Sequence, residues 1–126
     1  MFGRSREPIR MERNTPFVEV SLRGSDDSSR TYENCILDTG CSFELVLSED
    51  EGKDACWTLP RHCDIRLADG SSRAAKVAMT EVMWLNKWHT VDVRLLSSCP
   101  NPLLGMPMLE RSRLVFDGEG SYVESL

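Results

Sequence analysis

The sequence has little of what marks membrane, secreted or disulfide-rich proteins. No apolar run among its 126 residues approaches the roughly 18 residues that a membrane-crossing helix needs. Residues 1–14 lack the apolar segment of a secretory signal. The five cysteines are odd in number and include no Cys-x-x-Cys pair, which disfavours a disulfide framework. We therefore expect a cytoplasmic protein with reduced thiols and no membrane partner.

Positive charge is also in short supply. Twenty acidic residues outnumber fifteen basic ones, which gives a net charge of −5. A chain of this charge has no overall attraction to nucleic acid, so we expect no nucleic-acid partner. Hydrophobic residues make up 40% of the chain and charged residues 28%, which is the mixture of one ordinary globular domain.

Recognised metal-binding and hydrolase patterns are missing as well. Cys56, His62 and Cys63 could ligate zinc with Cys99 or His89, but their spacing fits none of the standard ligand patterns. Structural roles are therefore favoured for these residues, and we expect neither a metal ion nor an organic cofactor.

A serine-hydrolase interpretation is equally weak. Ser42, His89 and Asp92 include the residue types of a catalytic triad, but no Gly-x-Ser-x-Gly pattern surrounds Ser42.

The hydrophobic pattern predicts a mainly β protein. Alternating or apolar runs predict strands at residues 17–22, 32–37, 43–47, 64–68, 71–80, 82–85, 91–96, 114–116 and 121–123. The Asp69-Gly70 dipeptide predicts a two-residue hairpin turn, and a second hairpin is expected to turn at residues 86–87.

Two short helices and a flexible arm complete the predicted organisation. Ser48 and Glu51 form a capping-box pattern for a helix over about 49–55. Pro107 suits the first turn of a helix over 108–113. Residues 1–15 are polar and charged, so we expect a flexible N-terminal arm followed by a single domain over 16–126.

Two motifs carry the functional information. The segment 36–42, of sequence ILDTGCS, places one carboxylate between an apolar strand end and a glycine turn. The segment 102–106, of sequence PLLGM, repeats the apolar-apolar-glycine pattern near the C-terminus. Together they resemble the motifs of the retropepsin-like aspartic proteases. The sequence is more similar to the small stand-alone bacterial members of that family than to the viral ones. The resemblance covers about residues 16–118.

This resemblance implies a fold, a reaction and a set of site residues. The fold would be a closed retropepsin-type β-barrel with one short C-terminal helix. Asp38 would be the catalytic aspartate, Thr39 the residue that locks its loop, and Gly40 the turn. The cleft and the flap over it would use residues from three segments: Ser42, Leu67, Ala68, Asp69, Gly70 and Gly105.

The single Asp-Thr-Gly implies a homodimer. Aspartic proteases activate water between two carboxylates, one protonated and one ionised. This chain carries one such tripeptide, so a symmetry mate would have to supply the second Asp38. The expected function is peptide-bond hydrolysis in a peptide or protein substrate.

Departures from the family pattern leave alternatives open. Cys41 stands where alanine is usual, and the 69–71 segment lacks the glycine-rich run of retroviral flaps. One alternative is a retropepsin-like domain that binds peptides or only dimerises, with little turnover. The other is an unrelated β-domain in which Asp38 merely caps a turn.

Overall fold

The computed structural model describes residues 4–24, 29–67 and 69–126, and their strands form one ten-stranded sheet. The elements in chain order are β1 Arg6–Glu12, β2 Thr15–Arg23, β3 Ser29–Asp38, β4 Leu45–Ser48, α1 Glu49–Gly52, β5 Trp57–Arg66, β6 Ser72–Trp84, β7 Lys87–Leu96, β8 Leu103–Gly105, a 3-10 turn Met106–Met108, β9 Ser112–Val115 and β10 Ser121–Ser125. Within these residues, no helix is both long enough and apolar enough to span a membrane.

Six of the strands close into a barrel. Their order is β2–β3–β8–β4–β7–β6, and β6 returns to β2 by pairing residues 81–83 with residues 21–23. Strand β5 extends the sheet beyond β6, and strands β1, β10 and β9 extend it beyond β2. The mainly β, closed-barrel architecture predicted from the sequence is confirmed.

The barrel core is built by alternation along its strands. Every second side chain of β2 and β7 points inward, as a half-buried strand requires. These inward residues are Val18, Val20, Leu22, Val91, Val93 and Leu95. Trp84 is also buried, and its indole N–H donates to the Met108 carbonyl over 3.1 Å. That bond satisfies the buried indole and ties β6 to the turn after Gly105.

The N-terminal segment differs from the flexible arm that its composition suggests. Residues 6–12 form β1, which pairs with β10 over residues 6–9 and with β2 over residues 10–12. Ile9 is buried in the core. The Arg6 guanidinium donates to the buried Glu124 carboxylate, which also pairs with Arg4 and Arg113. Arg4 and Arg6, which the composition suggests are solvated, therefore pair with a carboxylate near the other end of the chain.

One predicted helix forms with shorter bounds, and the other does not form. The Ser48 and Glu51 capping box is present, but α1 ends at Gly52. A Cβ at Gly52 would lie 2.3 Å from a Leu95 methyl carbon, so close packing against β7 explains the glycine. The C-terminal helix is the single 3-10 turn Met106–Met108, which contains Pro107 rather than following it. The helix predicted over 108–113 does not form, because β9 begins at Ser112.

The hairpin turns also differ from prediction. Strands β5 and β6 end their pairing at Arg66 and Ser72, so the connection has five residues, 67–71, instead of two. The second hairpin turns at Leu85 and Asn86, one residue earlier than predicted, and both have positive φ, 51° and 65°.

Candidate active site

Asp38 lies where the two motifs of the sequence meet. It is the last residue of β3, which pairs in parallel with the short strand β8. Within this pair, Leu37 lies opposite Leu104, and Asp38 lies opposite Gly105. Both leucines are buried in the barrel core. The apolar residues of each motif thus anchor two glycine turns next to each other at one end of the barrel.

The loop that carries Asp38 is a tight turn closed by its own hydrogen bonds. The Cys41 N–H donates to the Asp38 carbonyl over 3.1 Å. The Gly40 N–H donates to the Asp38 carboxylate oxygen Oδ1 over 3.0 Å. A Cβ at Gly40 would lie only 3.3 Å from that oxygen, so glycine gives the carboxylate its room. The backbone thereby fixes the direction of the carboxylate.

Gly105 holds the Asp38 loop from behind. Its N–H donates to the Glu44 carbonyl over 3.0 Å, and the next N–H, that of Met106, donates to the Cys41 carbonyl over 2.8 Å. A Cβ at Gly105 would lie 1.8 Å from the Phe43 carbonyl oxygen, which no side chain tolerates. Residue 105 is therefore a glycine because the two loops touch there, and it is buried.

A cleft of about 430 Å³ opens in front of this loop. Four predicted site residues line it: Asp38, Gly40, Ser42 and Leu67. The remaining lining residues are Cys41, Phe43, Val46, Ile65, Arg66, Leu96 and Leu103. Apolar side chains of β4, β5, β7 and β8 make most of the wall, and they pack into a second, smaller hydrophobic cluster outside the barrel core. The arrangement suits an extended chain with apolar side chains.

The other predicted site residues lie elsewhere. Thr39 is exposed on the turn next to Asp38. Asp69 and Gly70 are exposed at the tip of the β5–β6 hairpin. Ala68 lies outside the described residues, and Gly105 supports the loop from its buried position. The structure thus unites the Asp38 loop with the base of the hairpin, while the tip stands apart from the cleft.

Several lining residues were missed by sequence reasoning. Two of them could have been predicted from the sequence. Ile65 is two residues before Leu67 and therefore on the same face of the strand, and Leu103 belongs to the second motif. Phe43 and Leu96 belong to no motif, because only the folding of β4 and β7 beside β8 brings them to the cleft.

The thiol nearest the candidate catalytic group is kept protonated. Burial raises the pKa of Cys41, and the negative charge of Asp38 acts in the same direction. The Cys41 thiol also donates a hydrogen bond to the Phe43 carbonyl over 3.6 Å, which holds the side chain in place. Because the thiolate is the reactive form of cysteine, Cys41 is suited to packing rather than to nucleophilic attack.

The alternative sites suggested by the sequence are not assembled. Among the described residues, no three His, Cys, Asp or Glu side chains converge as metal ligands would. His89 lines a different cleft from Ser42, and its Nε2 lies 3.1 Å from the Trp84 carbonyl oxygen. A triad with Ser42 therefore has no geometric basis here.

A solved structure has the same architecture as this chain. It is the crystal structure of a retropepsin-like aspartic protease from Rickettsia conorii, and the TM-score between the two is 0.65. The match covers 99% of this chain and 96% of that one, at 16% sequence identity. No protein-family model matches the sequence, and no curated protein sequence matches it. The structural likeness shows that this chain has the retropepsin-like fold, as the two motifs predicted.

Proposed function

We propose that this chain is an aspartic endopeptidase that acts as a homodimer. The observation that carries the proposal is the position of Asp38, on a tight glycine turn at the end of β3, held by β8 and facing an apolar cleft. The retropepsin-like protease from Rickettsia conorii shares the fold. The free state of all five cysteines accords with a cytoplasmic location, which remains part of the proposal.

The proposed reaction needs two carboxylates of unequal protonation. Two Asp38 side chains brought together on a twofold axis repel each other as anions, so the pair retains one proton. The ionised carboxylate takes a proton from water, whose oxygen attacks the amide carbon while the protonated carboxylate donates to the carbonyl oxygen. The resulting tetrahedral diol then collapses: its C–N bond breaks as a carboxyl proton passes to the nitrogen, one diol hydroxyl returns a proton to the pair, and an amine and a carboxylic acid leave. The bond from Gly40 N–H to Asp38 Oδ1 would keep each carboxylate oriented for this step.

In the proposed dimer, the exposed loop around Asp38 would supply part of the contact between the two chains. Thr39 presents its side chain to solvent beside Asp38, and Met106, on the turn that follows Gly105, is an exposed large apolar residue. In the proposed dimer Thr39 locks the paired loops through its hydroxyl. Burial of Met106 would contribute through the hydrophobic effect.

The decisive experiment compares the wild type with Asp38→Asn on a complex peptide mixture, with new termini read by mass spectrometry. Asp92→Asn is the matched control, because Asp92 is an exposed carboxylate on β7 that does not line the cleft. We expect Asp38→Asn to lose all measurable cleavage and Asp92→Asn to retain it. Activity per chain should also rise with protein concentration until the dimer saturates.

Two results would contradict the proposal. Cleavage that persists in Asp38→Asn would assign catalysis to another group. A fully active species that sediments as a monomer would remove the need for a paired carboxylate. Peptide binding by a dimer that never hydrolyses its ligand would instead favour the alternative of a peptide-binding domain.

A further inference from the structure

The β5–β6 hairpin, which borders the cleft, is locally cationic in this acidic protein. Residues 57–76, which span β5, the connection and the first part of β6, contain four Lys and Arg residues and two Asp residues. The whole chain has the opposite balance, with 15 basic and 20 acidic residues. The hairpin beside the cleft therefore carries a charge opposite to that of the molecule, which favours negatively charged segments of a ligand.

Arg66 brings this positive charge to the cleft itself. It lines the cleft together with Asp38, and among the described lining residues it is the only cation, as Asp38 is the only carboxylate. The ion pairs of the described chain use other basic residues, namely Arg4, Arg6, Arg10, Arg23, Arg30, Lys76 and Arg113. The Arg66 guanidinium thus remains available to a ligand carboxylate.

Arg94 adds a second guanidinium behind the cleft wall. It lies opposite Val46 in the β4–β7 ladder, and its guanidinium covers the ring of Phe43 with 5.1 Å between the guanidinium carbon and the ring centroid. Val46 and Phe43 both line the cleft. The Arg94 Nε is buried and has no hydrogen-bond partner in the described part of the chain. The Arg94 Nη1 donates to the Val93 carbonyl over 3.4 Å, so Arg94 supports the Phe43 part of the wall and leaves Arg66 as the cation that lines the cleft.

We propose that the cleft selects extended peptides that carry an acidic side chain close to an apolar residue, with Arg66 as the specificity-determining residue and Arg94 as a residue that positions the wall. The apolar wall packs against the apolar side chain, and the Arg66 guanidinium donates to the carboxylate. The inference rests on the proposed endopeptidase function and names its substrate class. Arginine suits this task because its planar fork matches a carboxylate and stays charged at all working pH values.

The test uses short peptides with a central Leu-Phe pair and a single Glu, Gln or Lys moved through the flanking positions. Binding is measured by fluorescence anisotropy on Asp38→Asn, and kcat/KM is measured on the wild type. At one position or more, we expect the Glu peptide to bind roughly five- to tenfold more tightly than its Gln isostere, with Lys weakest. Added salt should erase the advantage of Glu and leave the Gln peptide little changed.

Variants assign the effect to Arg66. In the Asp38→Asn background used for binding, Arg66→Gln should bring Glu and Gln peptides to similar affinity, while Arg66→Lys should keep part of the preference. Arg94→Gln should change the affinity for both peptides alike, because Arg94 supports the wall and does not line the cleft. Arg66→Glu should reverse the order in favour of Lys. The control is Arg30→Gln, which also removes one charge but lies eight residues before Asp38 on β3, about 26 Å along an extended strand.

The failure of this inference is distinguishable from failure of the proposed function. Hydrolysis that depends on Asp38 but treats Glu and Gln peptides alike would overturn the substrate class and leave the endopeptidase in place. A Glu preference in binding without any hydrolysis would retain Arg66 as the ligand determinant and overturn catalysis. Equal binding of Glu, Gln and Lys peptides at every position would overturn the inference outright.

Discussion

Gly105 lies directly against the Phe43 carbonyl oxygen, at the point where the loop after β8 crosses the loop that carries Asp38. This contact joins the two motifs of the sequence physically. The apolar pairs place β3 and β8 in parallel register, and the glycine lets the following loops touch. The geometry at Asp38 therefore depends on a residue that does not reach the cleft.

Replacing Gly105 with alanine should disrupt this crossing. The new methyl would lie 1.8 Å from the Phe43 carbonyl oxygen and 2.8 Å from the Cys41 carbonyl oxygen, and both are backbone atoms that move only with their loop. We expect a loss of about 3 kcal/mol in the free energy of unfolding, measured with urea. Gly118→Ala is the control, because a Cβ there meets nothing within 4 Å. Equal stability of the two variants would contradict the close contact.

Glu7 fastens β1 to the β6–β7 turn. Its carboxylate accepts the Leu85 N–H over 2.8 Å, and burial is the main cause that raises its pKa. Glu7→Gln keeps an acceptor oxygen and removes the buried charge, so it should stabilise the fold at neutral pH. The gain should begin to shrink as the pH falls through the raised folded-state pKa and should be gone below about 4.5, the ordinary value, where Glu7 is neutral in both the folded and the unfolded chain.

Glu7→Ala provides the contrast. It leaves the Leu85 N–H without its acceptor and should cost about 1 kcal/mol at neutral pH. Urea titrations of both variants at several pH values check the pair. A Gln variant that is as unstable as the Ala variant would show that the negative charge, rather than the acceptor, is what β1 contributes here.

Several strands could be predicted from the sequence because their signals are local, whereas the closed barrel was implied only by the resemblance that the two motifs carry. Alternation along β2 and β7 specifies which face of each strand is buried. The capping box at Ser48 was equally readable. Each of these features depends on neighbours within a few residues.

The errors arise where distant residues decide the structure. By composition, residues 6–12 resemble a solvated arm. In the structure, Arg6 pairs with Glu124 on the last strand, and Ile9 packs in the core. The helix predicted after Pro107 is replaced by β9 because residues 112–115 pair with β10. At the site, Phe43 and Leu96 join the cleft only through strand order, and Arg94 has no sequence signal at all.

Glu124 should make the fold sensitive to acid. Its carboxylate accepts from the Arg6 Nε at 2.5 Å and from Arg113, and these arginines lower its pKa below the usual 4.5. Since the folded-state pKa is depressed, the stabilisation is complete above about pH 4.5 and is lost as the pH falls through the folded-state value. Glu124→Gln should remove this part of the pH dependence. Urea midpoints from pH 6 to 2 test the prediction, and an unchanged slope in the variant would contradict it.

A substitution at the tip of the β5–β6 hairpin can distinguish an effect on substrate binding from an effect on the stability of the fold. Gly70 has φ of +87°, and a Cβ there would meet nothing within 4 Å, so a side chain is opposed by backbone strain alone. The tip is otherwise well bonded: the Leu67 N–H donates to the Ser71 carbonyl over 2.8 Å, and the Ser71 N–H donates to Asp69 over 2.9 Å.

Gly70→Val should therefore cost at least about 1–2 kcal/mol locally and alter the shape of the tip, since a β-branched residue tolerates positive φ poorly. Because the tip is exposed and far from the core, most of this cost should appear as local opening rather than as a lower melting temperature. If the hairpin closes over substrate, KM should rise several-fold while the melting temperature changes little. Gly118→Val, at an exposed turn of ordinary φ, is the matched control. Parallel losses of melting temperature and kcat/KM would make the hairpin a structural element and exclude a lid.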